Sequence, residues 1–283
     1  MNPFLHRLLP VVSGLLTCLS GGMASAQSWS PEVDFGWLHN DNVTNSIRQQ
    51  KDDSAATVSA SLQQVRVLSR DWQGSLKLGA DTEFWRDYSG LNLSQFSAGA
   101  GLRRKFGLGP YATKLDLSFE GFHQLADVSE WSGNGYRAEA SLQKRFTPQW
   151  FGRLTADLKR LDAKRAVYSG TVGTLTIAAD YDLTPAWRLS ATAFYGEGDQ
   201  LSWCRESFPE FIAKGPQWTD GIFGGDWFPY ASEGNHRGAS VSVARAIGDR
   251  SALTVGYDFT ESRAPKDHLF RNHIVSFNFT HAF

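Results

Sequence analysis

Few side chains in this 283-residue chain could carry covalent chemistry, and they are scattered along it. Hydrolysis of a lipid ester needs a serine nucleophile, a histidine base and a carboxylate or amide that orients the histidine. The best set in the sequence is His123 with Ser129 and Asn134. His123, however, has the parity of an apolar face, where a histidine more often serves as an amphipathic rim residue. The sequence therefore does not predict an enzyme.

The other signals for chemistry are equally sparse. Cys204 has no histidine near it in the sequence, and a lone thiol makes a poor nucleophile, so we interpret it as a bystander. No metal-ligand spacing, phosphate-binding loop or dinucleotide fingerprint occurs, so no metal and no cofactor are expected. The formal net charge of −1 argues against binding of nucleic acid.

Alternation of apolar and polar residues with a period of two recurs along the chain and predicts β-strands. The clearest examples are 113–124, 173–183, 187–196 and 251–260. These stretches are longer than the strands of about five or six residues that are usual in soluble sheets. One face of each is rich in alanine, leucine and aromatic residues, and the other carries too many charges to form a core. The pattern favours a barrel in lipid over a soluble sandwich.

Short turn-like segments alternate with longer polar connections. Two of the short turns nearly repeat each other, at 146–150 and 183–187, and the repeating unit of about 37 to 40 residues holds two strands. Five short turns and six longer loops join twelve strands, an even number as in transmembrane β-barrels. The longest connection, 199–233, has room for another hairpin, which makes fourteen strands the alternative. The expected fold class is all-β, a transmembrane antiparallel up-and-down β-barrel with twelve strands favoured.

Aromatic residues cluster near both kinds of connection and predict two girdles at the membrane boundaries. Those beside the short turns are Trp72, Trp150 and Trp187, and those near the long loops are Trp85, Tyr88, Trp131 and Tyr168.

If the apolar parity faces lipid, the opposite parity faces the barrel interior, and it carries interleaved charges of both signs. A dedicated anion or cation channel would show one dominant sign. Interleaved charges can instead pair across strands and narrow the bore, because an unpaired buried charge is costly. The lumen-lining candidates are Asp81, Glu83, Arg103, Lys114, Asp116, Glu120, Arg137, Glu139, Arg153, Asp157, Asp180, Arg188 and Asp258.

The predicted extracellular loop 199–233 is rich in aromatic residues and too apolar to extend freely into water. We expect it to enter the barrel mouth as a constriction or to pack as a lid, with a recognition surface as the alternative. The residues expected to form this constriction or recognition site are Trp203, Arg205, Trp218, Trp227 and Tyr230.

The start of the chain has the pattern of a secretory signal peptide. Arg7 provides positive charge, 8–19 is a short apolar stretch, and 24–26 is a small-residue cleavage site. A helix needs roughly 20 apolar residues to span a bilayer, so this stretch is too short for a membrane anchor. We expect residues 1–26 to be removed and 27–283 to form the exported domain.

The last eleven residues, 273–283, alternate in polarity and stop on an aromatic side chain. In a closed barrel the last strand pairs with the first, so no strand edge is exposed. This ending resembles the C-terminal assembly signal of bacterial outer-membrane β-barrel proteins, which the barrel-insertion machinery reads. Phe277, Phe279 and Phe283 match that signal, whereas His281 replaces an apolar or aromatic residue.

A second, weaker resemblance lies at 32–44, where a predicted strand runs into Asp41-Asn42-Val43. This opening is similar to that of many uncharacterised Gram-negative outer-membrane barrels and of the barrel part of surface lipoprotein assembly modifiers. Those proteins normally carry a helical-repeat domain before the barrel, for which this chain has no room.

Together these features predict an outer-membrane β-barrel of a Gram-negative bacterium. The leading function is a porin-like channel or export conduit for a small solute or a secreted polymer. The alternative is a non-conducting structural or assembly component of an envelope secretion system, and a rim-located lipid-modifying enzyme comes third. The expected partners are outer-membrane lipid and lipopolysaccharide, the barrel-insertion machinery and a periplasmic secretion partner.

Overall fold

The computed structural model describes residues 29–205, 218–264 and 268–283, and every structural statement below concerns those residues. They form one closed antiparallel barrel of twelve strands, in which each strand pairs with its neighbours in the chain and β1 pairs with β12. This confirms the predicted fold class and the favoured strand number. The strands are β1 (Trp29–Asn40), β2 (Asp53–Val67), β3 (Trp72–Trp85), β4 (Leu93–Phe106), β5 (Thr113–Ala126), β6 (Gly133–Arg145), β7 (Trp150–Ala163), β8 (Gly170–Thr184), β9 (Trp187–Cys204), β10 (Phe228–Ile247), β11 (Ser251–Ala264) and β12 (His268–Ala282).

The predicted signal peptide lies outside the described residues. Within them, no helix is long and apolar enough to cross a membrane, a finding that has no bearing on crossing by strands.

The outer face of the barrel carries an apolar band. Successive side chains of a strand point to opposite faces, so the alternation seen in the sequence sends one set outward and the other inward. Leu117 and Phe119 of β5, for example, are 43% and 58% exposed, and the residues between and beside them turn inward. So large an exposed apolar surface is stable only against lipid. Equivalent outward residues are Leu76, Leu78, Leu154, Leu158, Leu175, Ile177, Val241, Val243, Val255, Val275 and Phe277.

The two ends of the barrel differ. At one end the strands are joined by short turns, and Gly107, Gly109 and Gly248 in these turns have positive φ. The other end carries the longer connections, three of which contain a short 3₁₀ turn, at Ser89–Leu91, Ser129–Trp131 and Ala166–Tyr168. In outer-membrane barrels the short turns face the periplasm and the longer loops face outward.

The chain ends inside the closing seam. β12 pairs with β1 from Ala282 opposite Glu32 to Ile274 opposite Asn40. Beyond this ladder the backbone N–H of Phe283 donates a hydrogen bond to the carbonyl oxygen of Pro31 at 3.1 Å. β12 therefore has a partner on both sides and exposes no strand edge.

The β9–β10 hairpin extends beyond the rest of the barrel. β8 pairs with β9 only as far as Gly198, whereas β9 and β10 remain paired up to Cys204 and Phe228. The predicted loop 199–233 is therefore too long, because both of its ends are paired strand. Gly198 has φ +144°, and a Cβ atom on it would lie 2.1 Å from the carbonyl oxygen of Thr171. Only glycine fits where the hairpin leaves its neighbour.

Candidate functional site

Three connections at the long-loop end share one local arrangement. In each, the 3₁₀ turn is followed by a polar residue, Asn92, Ser132 or Ser169. The side-chain oxygen of each accepts a hydrogen bond from the backbone N–H of the last residue of the preceding strand, at 2.7, 3.0 and 2.9 Å respectively. This bond joins the end of each connection to its beginning. It thereby fixes the orientation of the apolar or aromatic residue that precedes the asparagine or serine.

The apolar residues of these turns meet those of other connections in a single cluster, which we call the cap. Its members come from the connections after β1, β3, β5, β7 and β9, which are spaced around the barrel. Side chains from so many sides can touch only by crossing the opening, so the cap lies over the mouth of the lumen. The buried members are Val43, Leu91, Val167, Tyr168, Trp203, Ile222, Phe223, Trp227 and Ala231, with Trp85, Tyr88, Val128, Trp131, Ala163, Leu201 and Trp218 packed against them.

Aromatic rings form the centre of the cap. The ring of Phe223 lies 5.4 Å from that of Trp203 and 5.5 Å from that of Trp227, and Trp131 lies 6.0 Å from Trp203. These are distances at which aromatic pairs attract beyond their simple burial. Burial of each large apolar side chain stabilises the cap by about 1.5–3 kcal/mol.

One carboxylate ties three segments of the cap together. Asp220 accepts hydrogen bonds from the Tyr168 hydroxyl and the Trp203 Nε1–H, both at 2.6 Å, and from the backbone N–H of Ile222 at 3.0 Å. Burial and the neighbouring Asp220 carboxylate both raise the pKa of the Tyr168 hydroxyl well above its ordinary value. Tyr168 therefore stays protonated and remains a donor under all ordinary conditions.

The first loop, residues 41–52, reaches across the mouth to the β9–β10 hairpin. The carbonyl oxygen of Thr44 accepts from the backbone N–H of Trp203 at 2.8 Å, and Asn45 Nδ2 donates to the carbonyl oxygen of Leu201 at 2.8 Å. The loop is held from below by Asn272, whose Nδ2 donates to Asn45 Oδ1 at 2.8 Å. The strand edge that β9 exposes above Gly198 is thus covered by loop backbone and side chains.

The five residues predicted in the aromatic loop all lie at this mouth. Trp203 and Trp227 are 3% and 2% exposed at the centre of the cap, and Tyr230 is buried on β10, opposite Ser202 of β9. Trp218 packs against the cap. Arg205 pairs with Asp226 at 3.0 Å and lies 5.4 Å above the ring of Trp227. Their role in constriction or recognition remains a prediction.

The predicted lumen residues have interior parity, and several of them pair. Arg103 bonds to Asp116, and Arg137 bonds to Asp157 on the next strand. Arg137 also lies 3.6 Å from Glu139. Asp81, Lys114, Glu120 and Arg153 share the same face of β3, β5 and β7.

Other contacts span the lumen. Glu83 of β3 interacts electrostatically with Lys159 of β7, although three strands separate them around the wall. The Lys159 ammonium also lies 5.1 Å from the ring centre of Phe122 on β5. Long charged side chains therefore reach toward one another across the β3–β7 half of the interior.

The two halves of the interior wall differ in chemistry. We call the lumen-facing positions of β3–β7 the charged wall, because they hold most of the predicted charges. The lumen-facing positions of β8–β12, β1 and β2 form a hydroxyl wall, in which Arg188 is the one lysine or arginine among the described residues. Arg188 is paired with Asp182 at 2.7 Å, whereas Asp258 accepts a hydrogen bond from the neutral Ser240. Other members are Thr57, Ser59, Thr174, Thr176, Asp180, Thr192, Ser242, Thr254, Thr260, Ser276 and Thr280.

Two aromatic side chains of the hydroxyl wall lie flat against it. A Cβ atom on Gly238 would lie 2.5 Å from the ring of Phe194, and one on Gly196 would lie 2.3 Å from the ring of His236. Each ring therefore covers a glycine of the neighbouring strand instead of projecting into the lumen.

The serine, histidine and amide considered for catalysis do not assemble. His123 Nδ1 lies 2.8 Å from Asn134 Oδ1, but the Ser129 hydroxyl donates to Glu130 at 3.0 Å. A nucleophile bonded to a carboxylate instead of the histidine lacks the general base that activates it.

All four members of the predicted outer girdle pack in or against the cap instead of facing lipid. They are Trp85, Tyr88, Trp131 and Tyr168. The aromatic residues that do face outward near this end include Tyr257, whose hydroxyl lies 2.6 Å from Nδ1 of His273. A repeated sequence feature could have indicated the cap. Each of the three 3₁₀ turns ends with an apolar or aromatic residue followed by asparagine or serine.

Comparison with known proteins supports the architecture. Neither a scan against protein-family models nor a search of curated protein sequences finds a match. An outer membrane channel from Pseudomonas putida F1 superimposes with a TM-score of 0.58 at 12% identity, covering 93% of this chain and 98% of that one. The DcaP channel of Acinetobacter baumannii (TM-score 0.47, 7% identity, 93% and 99% covered) and the NanC porin (0.47, 6%, 88% and 98%) are less similar in shape.

At these sequence identities the structural similarity concerns the fold alone. It rests on the Pseudomonas putida channel, the one of these three structures with a TM-score above 0.5. It agrees with the closed twelve-stranded ladder and the outward apolar band. The protein therefore has the fold of a bacterial outer-membrane β-barrel, and its apolar band is consistent with a location in that membrane.

Proposed function

We propose that the protein is a porin-like channel for small hydrophilic solutes and that the cap closes its outer mouth. The observation that carries the proposal is the contrast between the polar lumen-facing side chains of the barrel and the apolar cap over its mouth. The hydroxyl wall offers a path that water can wet, and two of its rings, those of Phe194 and His236, each cover a glycine of the neighbouring strand. Trp203 and Ala231 belong to the paired β9–β10 hairpin, whereas the other buried members of the cap belong to loops, which can move without breaking the barrel.

The cap is also the feature best suited to gating. Apart from the β9–β10 ladder, its segments are joined by packing and by a few hydrogen bonds to Asp220 and Asn45. Such contacts can break together and reform, because each contributes only about 0.5–3 kcal/mol. A solute or partner that binds the open arrangement would shift the population toward it.

Planar-bilayer conductance tests this proposal. We expect the intact protein to give rare or brief openings, and a variant with residues 206–226 replaced by a short glycine–serine linker to conduct steadily. Trp227→Ala should have an intermediate effect, and Trp187→Ala, on the outer face at the opposite end, should resemble the intact protein. Silence of the intact protein and of every variant would reject a channel.

The second candidate function is a non-conducting component of an envelope secretion system. The paired charges Arg103–Asp116 and Arg137–Asp157 and the closed cap favour it, because both reduce the free bore. Silence of the loop-replacement variant, together with a folded barrel, would support this candidate. Co-purification of a periplasmic protein from cross-linked cells would then identify its partner.

A further inference from the structure

Three charged residues form one row on the outer surface of the barrel. Arg237 of β10 lies opposite Glu261 of β11, and Glu261 lies opposite Arg271 of β12. All three have the parity of the exposed apolar residues on their strands, such as Val241 and Val255. They therefore face away from the lumen and take no part in the proposed path.

The row lies where the apolar band ends. On β11 the outward residues from Leu253 to Phe259 are apolar or aromatic, and Glu261 comes next. A tilted strand crosses the bilayer in about 9–11 residues, so a crossing that begins near Ser251 finishes beside Glu261. The end concerned is the capped end, which faces the outer leaflet.

The carboxylate holds the two guanidinium groups in place. Arg237 donates from Nε and Nη2 to Glu261 Oε1 at 3.1 and 2.6 Å, and Arg271 donates from Nε to Oε2 at 3.0 Å. The Glu261 side chain is only 10% exposed, whereas those of Arg237 and Arg271 are 63% and 56% exposed. The remaining N–H groups of both arginines are therefore free to meet a ligand from the membrane side.

The charge of the row is not balanced. Two guanidinium groups share one carboxylate, which leaves one surplus positive charge, and the exposed Arg263 lies at the next outward position of β11. A simple ion pair exists at the same end for comparison, because Arg160 is bonded to Asp162 alone, with Nε and Nη2 at 3.1 and 2.9 Å from Oδ1. The row differs from this pair in carrying a second guanidinium group, whose positive charge an anionic ligand would balance.

We propose that this row binds a phosphate group on the headgroup of lipopolysaccharide, the phosphorylated glycolipid of the outer leaflet. Arginine forks match phosphate oxygens in paired hydrogen bonds, and a site at the edge of the hydrocarbon is poorly screened by water. The outward aromatic residues Tyr257 and Phe259 lie directly below the row and would contact the acyl chains. This proposal does not depend on whether the lumen conducts.

Binding of lipopolysaccharide to the full-length protein in neutral detergent tests the proposal. The variant Arg237→Gln/Arg271→Gln should bind about tenfold more weakly or worse than the wild type, because both forks are lost. The control Arg160→Gln removes the same type of side chain at the same end and should bind as the wild type does. Removal of the phosphate groups from lipopolysaccharide should weaken its binding to the wild type at least as much as the double substitution weakens binding of the intact lipid.

Two further measurements distinguish loss of the site from misfolding and from binding of free phosphate. The double variant leaves Glu261 without a partner, so Arg237→Gln/Glu261→Gln/Arg271→Gln is made beside it, and heat-dependent migration in SDS identifies folded protein. Millimolar inorganic phosphate should not compete, and competition would indicate a site for free phosphate instead of a headgroup. Wild-type affinity in a folded variant, or equal binding of the dephosphorylated lipid, would overturn the proposal.

Discussion

Asn45 donates a hydrogen bond from Nδ2 to the carbonyl oxygen of Leu201 at 2.8 Å, although β10, β11 and β12 separate β1 from β9 around the barrel. The same asparagine accepts from Asn272 Nδ2 at 2.8 Å and has φ +51°, a conformation that asparagine tolerates better than most residues. The first loop is thus fixed at its base by Asn272 and joined at its tip to the β9–β10 hairpin. It acts as a latch across the mouth.

Asn45→Ala should therefore loosen the closed cap. The change removes hydrogen bonds to Leu201 and Asn272 and places alanine at positive φ, at a combined cost of about 1–3 kcal/mol to the closed arrangement. If the cap gates conduction, the open fraction in planar bilayers should rise by about tenfold. Asn134→Ala, an exposed asparagine at the same end, serves as the control. An unchanged open fraction would mean that this latch does not limit opening.

High pH should weaken the cap through Tyr168. The pKa of its hydroxyl is raised in the closed cap, whereas a tyrosine exposed by opening ionises at about pH 10. The closed state consequently keeps its full stability below about pH 10, and loses it as pH rises further, because only the open state can release the proton. Conductance measured from pH 8 to pH 11 should increase in the wild type. In Tyr168→Phe this component should be absent.

The barrel follows from the sequence because its determinants are local and periodic. Apolar residues at every second position specify which face meets lipid, and the same parity places residues such as Asp116 and Asp157 inside. Strand number follows from counting turns, and β12 must pair with β1 because an outward apolar strand cannot leave an edge in lipid. These rules need no knowledge of distant contacts.

The cap does not follow in the same way. Trp131 and Tyr168 have aromatic side chains near a membrane boundary, which is also the description of girdle residues, and only the closed barrel brings them together with Trp203. The extent of the β9–β10 hairpin was missed because its pairing continues past Gly198, where the partner strand β8 has already ended. Contacts among loops depend on how the ends of the strands are arranged around the barrel mouth. The alternation of apolar and polar residues along each strand does not specify this arrangement.

The hydroxyl wall should make the channel prefer cations. Asp258 faces the lumen beside Ser240 and forms no ion pair with any described residue, whereas the charged wall carries both signs in close pairs. Carboxylates that lack a paired cation attract cations and repel anions along a narrow path. Reversal potentials in a KCl gradient, recorded with the loop-replacement variant, should show cation preference that falls about twofold in Asp258→Asn. Asp157→Asn, the same change at a carboxylate of the charged wall that is paired with Arg137, should have a smaller effect, because Arg137 also lies 3.6 Å from Glu139. Anion preference in the parent would contradict the argument.

Removal of Phe283 should impair assembly more than stability. The side chain is 55% exposed, and the residue contributes one backbone hydrogen bond to Pro31, so its loss costs the folded barrel only about 0.5–1.5 kcal/mol. If insertion machinery reads the terminal aromatic residue, a chain ending at Ala282 should accumulate poorly in the outer membrane of cells yet refold in detergent. Phe283→Tyr keeps an aromatic ending and should insert normally. Equal membrane levels for the truncated chain would exclude a role of Phe283 as an assembly signal.

Gly198→Ala should separate the β9–β10 hairpin from the rest of the wall. The added Cβ would lie 2.1 Å from the carbonyl oxygen of Thr171 and 2.8 Å from Cα of Val172, and φ is +144°, so neither the backbone nor its neighbour can accommodate it. Strain of this kind costs about 1–3 kcal/mol, and the cheapest relief is to part β9 from β8 at this level. Gly121→Ala is a matched control, because a Cβ atom at Gly121 meets nothing within 4 Å. In Gly198→Ala the backbone amides of 199–204 should exchange with solvent faster than in the control, whereas the amides of the β8–β9 ladder nearer the short turns should be unchanged. Equal protection in both variants would show that the hairpin keeps its position without this glycine.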